Sequence, residues 1–298
     1  MTSVREYLTE EVVENYADGL IGRREALRQL TLLGVGTAVA APMLAACDSG
    51  PRPAPAPAGS GGSAPAGPAP LPTDAITFAG PRVQLQGAWA EAPDPRGSVL
   101  VVHENRGLTD HIRSVAGRLA ASGYSALAVD LLSEEGGTGT FTDPAQVTAA
   151  LNAAAATTGR FVDDMKAGIT ELQRRAPRTK VAAIGFCFGG AMVWSLLAAG
   201  EPRLSAAAPF YGPLPDNADL AGSPNAAVLA VYGELDSRVN ASRDAAKAAL
   251  EQAGLPHEIV TYPGADHAFF NDTGQRYNAA AAAQAYDKLL DWFARYLG

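Results

Sequence analysis

Positive charge, cysteine and histidine are all scarce in this 298-residue chain, and each shortage narrows what it can do. Lys and Arg number 23 against 31 Asp and Glu, giving a formal net charge of −8. Such a surface lacks the basic face that a nucleic-acid partner requires, so none is expected. There are two cysteines and four histidines. No group of His, Cys and Asp has the sequence spacing of a ligand set, so neither a metal nor a cofactor is expected. Gly-x-Ser-x-Gly is missing altogether. The apolar stretch Leu30 to Ala46 falls short of the ~20 residues that a membrane-spanning helix needs. With 47% hydrophobic residues there is still material for one large core. Nothing in the pattern speaks to oligomeric state.

Residues 1–46 stand apart from the rest of the chain. Met1 to Gly19 is acidic, with Val4, Leu8 and Val12 at helical spacing. Arg23-Arg24 then precedes the apolar stretch, an arrangement that resembles a twin-arginine export signal. The stretch ends in Leu44-Ala45-Ala46-Cys47, which resembles the lipobox of bacterial lipoproteins. That resemblance implies lipidation of Cys47 as the new N-terminus. It also implies an exported protein on the outer face of the cytoplasmic membrane or in the periplasm. A plain anchor helix with a chance cysteine is the simpler alternative. With Cys47 blocked, Cys187 is the one remaining thiol and no internal disulfide is expected. Residues 47–73 are rich in Pro, Ala and Gly and read as an extended tether.

The folded part spans residues 74–298. Short apolar runs (76–78, 83–90, 98–103, 125–129, 181–184, 206–211, 227–232, 257–262) alternate with helical patterns from residue 110 onward. That alternation predicts an α/β fold: a mostly parallel central sheet with helices on both faces. Its functional residues then lie just past the carboxyl ends of the strands.

The run Val181 to Ile184 ends in Gly185-Phe-Cys-Phe-Gly-Gly190 and leads straight into a helical stretch. A strand, a turn crowded enough to demand glycines and an immediate helix make a nucleophile elbow, with Cys187 at its tip. The positive end of the following helix should favour its thiolate. By itself the motif could be a buried cysteine among glycines that ease packing. Three further post-strand loops strengthen the catalytic reading: His103-Glu104-Asn105-Arg106-Gly107, Gly233-Glu234-Leu235-Asp236 and Asp266-His267. Nucleophile, acid and histidine occur in the chain order of an α/β-hydrolase triad. Glu234 rivals Asp236 as the acid, and His103 and His111 are weaker rivals to His267.

Those motifs, with Asp266-His-Ala-Phe-Phe270, resemble the dienelactone hydrolase family of cysteine-dependent α/β-hydrolases across nearly all of residues 76–298. The resemblance implies Cys187 as nucleophile, His267 as base and Asp236 as the residue orienting it. Glu104 holds the position of a family glutamate that takes the thiol proton. The backbone N–H groups of Phe188 and Asn105 would form the oxyanion hole. The implied reaction is hydrolysis of a small-molecule ester or lactone through a thioacyl-enzyme. The family's dienelactone-cleaving members place an arginine shortly after the histidine, where this chain has Asn271. Neutral substrates are therefore expected to do better than carboxylate-bearing ones, unless Arg106, Arg238 or Arg276 takes over. A non-catalytic, lipid-anchored binding or thiol-sensing module is the alternative.

Overall fold

The computed structural model describes residues 4–48, 64–157 and 159–298. Eight strands form one sheet in the order β1-β2-β4-β3-β5-β6-β7-β8. β1 (Asp74–Ala79) and β2 (Gln84–Ala90) run antiparallel and join the sheet edge at β4 (Tyr124–Asp130). From there β3 (Gly97–Val102), β5 (Val181–Phe186), β6 (Leu204–Phe210), β7 (Ala227–Gly233) and β8 (His257–Tyr262) are parallel. β3, β4, β5 and β7 are buried along their whole length, as expected of parallel strands covered on both faces.

α4 (Asp110–Ala121) returns the chain from β3 to β4, while α5 (Pro144–Ala154) and α6 (Arg160–Arg175) carry it back across to β5. The winding direction thus reverses between β3 and β5, opening a crevice at their carboxyl ends. α7 (Phe188–Ala198), α8 (Ser237–Asn240), α9 (Arg243–Gln252) and α10 (Ala279–Tyr296) complete the layers. The eight strands and the helices of residues 74–298 match the sequence expectation well. The main difference lies in the loop 131–143, which holds two short 3₁₀ turns.

The N-terminus departs further. α1 (Val4–Ala17), α2 (Arg23–Leu32) and α3 (Thr37–Asp48) pack on one another, and α1 and α2 rest against α5. Tyr7, Leu8, Val12 and Tyr16 of α1 are buried, as are Leu30 and Leu44. Full burial of a Leu or Val side chain contributes about 1.5–3 kcal/mol, so this docking has a substantial apolar component. Sequence alone set these residues outside the fold because it shows an apolar face without showing what covers it. Among the described residues no helix is long and apolar enough to cross a membrane. The side chain of Cys47 and residues 49–63 of the expected tether lie outside the described part. The end of that tether packs into the domain: Leu71 N–H donates to Gly117 O, and the buried Arg118 donates to Ala66 O, also buried.

Candidate active site

The elbow is built by steric exclusion. A Cβ at Gly185 would stand 2.1 Å from Gly189 O, one at Gly189 2.3 Å from Val102 O, and one at Gly190 2.4 Å from Phe210 O. Only glycines let β5 and α7 approach β3 and β6 this closely. Cys187, at the corner, adopts φ 56° and ψ −119°, a left-handed strain that L-residues rarely accept outside functional turns. Its N–H donates to Phe210 O, fixing the corner to β6.

Asp236 and His267 arrive from the loops after β7 and β8. His267 Nδ1 lies 2.7 Å from Asp236 Oδ2, and both side chains are buried. Asp236 Oδ1 accepts from Val239 N–H at the start of α8, which locks the carboxylate. Burial works against charge on both, but each stabilises the other. The Asp236 carboxyl is held below its ordinary range, and the His267 imidazolium is held well above its own. Glu234, the rival acid, instead accepts from Gly264 N–H at the surface. Burial lowers the His103 pKa; its Nδ1 meets Glu104 O while Nε2 accepts from Leu131 N–H, so it ties the post-β3 loop to the post-β4 loop. His111 faces Asp272.

Glu104 is buried beside the same crevice. Burial raises its pKa; Oε2 accepts from Asn271 Nδ2 at 2.6 Å and Oε1 has no partner. Asn271, standing where an arginine was missed, is thus occupied in holding Glu104. Phe188 opens α7 directly behind Cys187, and Asn105 follows Glu104. A cavity of about 490 Å³ opens onto Cys187, His267, Glu104, Asn105 and Arg276. Phe269 and Phe270 do not line it; they pack in the core against Phe186, Phe210 and Tyr211.

One expectation is corrected here. The Cys187 thiol is not eased toward thiolate: burial, with the Glu11 carboxylate second, pushes its pKa up, and His267 opposes this only in part. Two side chains of α1 meet the sulfur. Cys187 Sγ donates to Glu11 Oε2 at 3.4 Å, and Tyr7 Oη lies 3.3 Å from the same sulfur. Neither Tyr7 nor Glu11 belongs to a recognisable motif in the sequence. A signal was present, since Tyr7, Glu11, Glu14 and Asp18 recur at the spacing of one helix face. Cys187, His267 and Glu11 also bring potential ligand atoms within 4.8 Å of one another, a grouping able to hold a metal ion that sequence spacing could not reveal.

A family model described as "Dienelactone hydrolase family" matches residues 85–297. The chain belongs to the dienelactone hydrolase family. A relative from Escherichia coli O157:H7, provisionally named a carboxymethylenebutenolidase, is 33% identical over 245 residues, covering 76% of this chain and 90% of its own. One of the same name from Synechocystis is also 33% identical, covering 74% and 96%. Among solved structures, a provisionally assigned dienelactone hydrolase from Klebsiella pneumoniae superposes with TM-score 0.64 at 28% identity, covering 75% of this chain and 98% of its own. A dienelactone hydrolase-like promiscuous phosphotriesterase from metagenomic libraries gives 0.68 at 26%, covering 78% and 100%. The protein is therefore a hydrolase of the α/β-hydrolase fold. α1–α3 precede the region that the family model matches.

Proposed function

We propose that the protein hydrolyses a small-molecule ester or lactone through a thioacyl-enzyme on Cys187. The observation that carries this reading is the buried 2.7 Å pair of His267 and Asp236 beside a cysteine held at positive φ. Cys187 sulfur attacks the carbonyl carbon as its proton passes to His267, with Glu104 as an alternative acceptor near the cavity. Asp236 holds Nδ1–H and raises the basicity of the ring, so Nε2 of the neutral imidazole takes the thiol proton and then returns it to the leaving alkoxide. The N–H groups of Phe188 and Asn105 stabilise the oxyanion. Water then attacks the thioester, releasing the acid and restoring the thiol. The names of the relatives favour a lactone-like substrate. A panel of esters, thioesters and lactones tests the reading, with Cys187→Ala as control. Turnover that is lost in Cys187→Ala while the melting curve is kept supports it, and undiminished turnover overturns it.

A second part of the proposal concerns location. Arg23-Arg24, the apolar stretch and the ending Leu44-Ala-Ala-Cys47 support twin-arginine export and lipidation at Cys47. Cys47→Ala should then move the mature protein out of the membrane fraction, and Lys-Lys in place of Arg23-Arg24 should block export. Unchanged membrane association and unchanged N-terminal mass in Cys47→Ala overturn it.

A further inference from the structure

We propose that α1 is an intramolecular, product-like inhibitor that holds the active site closed while residues 4–18 remain docked. The proposal rests on the reading of Cys187 as nucleophile, and four observations carry it.

The first is the direction of the thiol. Its hydrogen bond runs to Glu11 Oε2, whereas His267 Nε2 is buried without a partner. The thiol proton is thus directed at a residue of α1, although the base that would activate the sulfur lies within 4.8 Å of it. The second is where the Glu11 carboxylate stands. Its other oxygen accepts from Asn105 Nδ2 at 2.6 Å, so the carboxylate spans from the sulfur to the post-β3 loop. A newly released acid product would lie in the same place, touching the sulfur on one side and that loop on the other. A fixed negative charge there also opposes both a thiolate and an oxyanion.

The third observation is a pair of charged clamps. Arg238 Nε donates to Glu14 Oε2 at 3.0 Å, and its guanidinium lies 4.7 Å over the Tyr7 ring. Arg276 Nη1 donates to Asn15 Oδ1 at 3.0 Å, and Arg276 also pairs with Asp18. Both arginines belong to the catalytic domain, and the acids all sit on one face of α1 or the turn after it. Arg238 Nη1 and Nη2 have no partner, so this side chain retains capacity for a different anion. The fourth observation is coverage: with α1 docked, Cys187 is only 2% exposed, and Glu11 and Asn15 of α1 narrow the cavity that reaches it. Because α1 lies upstream of Cys47, removal of residues 1–46 at that cysteine would take the inhibitor away and open the site in one step.

The test uses the full chain with its clamps loosened, Glu14→Gln/Asp18→Asn, and separately with its plug blunted, Tyr7→Phe/Glu11→Gln. Two rates are followed: alkylation of Cys187 by iodoacetamide, read on the Cys187 peptide by mass spectrometry, and turnover of p-nitrophenyl acetate. Circular dichroism melting confirms that each variant is folded. Loosening two partly buried ion pairs should raise both rates by about tenfold, through a larger open population. A synthetic peptide of residues 1–18, added in excess, should reverse the gain. Faster alkylation with no turnover in any form would uphold α1 as the cover of Cys187 and overturn the hydrolase reading. Unchanged alkylation in folded variants, or a fall in turnover on loosening α1, would overturn the inhibitor and leave the hydrolase reading standing.

Discussion

Two walls meet at Cys187, and they are made in different ways. The sheet wall comes from strand ends: the elbow after β5, Glu104 after β3, Asp236 after β7 and His267 after β8. Its geometry is imposed by contacts with no slack, such as the missing Cβ atoms of Gly185, Gly189 and Gly190. The opposite wall is α1, held by side-chain contacts of a reversible kind: two arginine clamps, an aromatic ring and a few apolar residues. Backbone sterics make a site that is either assembled or absent. Side-chain contacts of modest individual strength make a wall that can leave.

Breaking the sheet wall should therefore have the largest effect. Gly189→Ala places a Cβ against the Val102 carbonyl, where the only relief is backbone movement; overpacking of this kind costs about 1–3 kcal/mol and occasionally more. Thermal unfolding should show a Tm lowered by several degrees, and ester turnover should fall below detection. The acid–base pair comes next. His267→Ala should lower kcat about 10²–10⁴-fold, the usual contribution of a placed general base, and should also lower the Tm, because it leaves the buried Asp236 carboxylate without its partner. Asp236→Asn should also impair kcat while sparing KM, because its amide cannot hold the same tautomer. Glu234→Gln should leave both unchanged.

The α1 wall should respond more gently, and its signature is a shift along the pH axis. Tyr7, Glu11, His267 and Glu104 all act on the Cys187 thiol, and of these Glu11 is the foremost charge raising its pKa. Glu11→Gln removes a negative charge, so thiolate forms at lower pH. The midpoint of the alkylation-rate profile should move down the pH scale relative to the wild-type chain; an upward or absent shift would contradict the assignment. The smallest effect is expected from Arg28, which pairs on the surface with Glu25 and with Asp143 at the start of α5. Exposed pairs contribute little, so Arg28→Ala should leave both the Tm and the Cys187 alkylation rate within error of wild type.

The difference between the walls also explains how much could be read from sequence. The strands and the helices of the catalytic domain announce themselves by periodicity, and Cys187 by the glycines around it. The meeting of Asp236 and His267 is legible because the fold brings the loops after its strands together. What escaped are pairings across long separations, each between residues ordinary in their local context. Glu11 meets Cys187 across 176 positions, and Asn271 meets Glu104 across 167. The rise in the Cys187 pKa escaped for the same reason: the helix terminus is local and visible, while Glu11, which adds to burial in raising that pKa, comes from α1. Leu8 and Val12 disclosed an apolar face on α1 but not the surface it covers.

The central claim is that Cys187 carries the acyl group, and trapping that adduct tests it most directly. A slowly deacylating aryl ester, mixed with the protein and quenched in acid within the first turnovers, should add one acyl mass. Proteolysis should place that mass on the Cys187 peptide, and brief hydroxylamine treatment should remove it, as expected of a thioester. Steady turnover with no adduct on Cys187, or turnover that survives Cys187→Ala, would contradict the account.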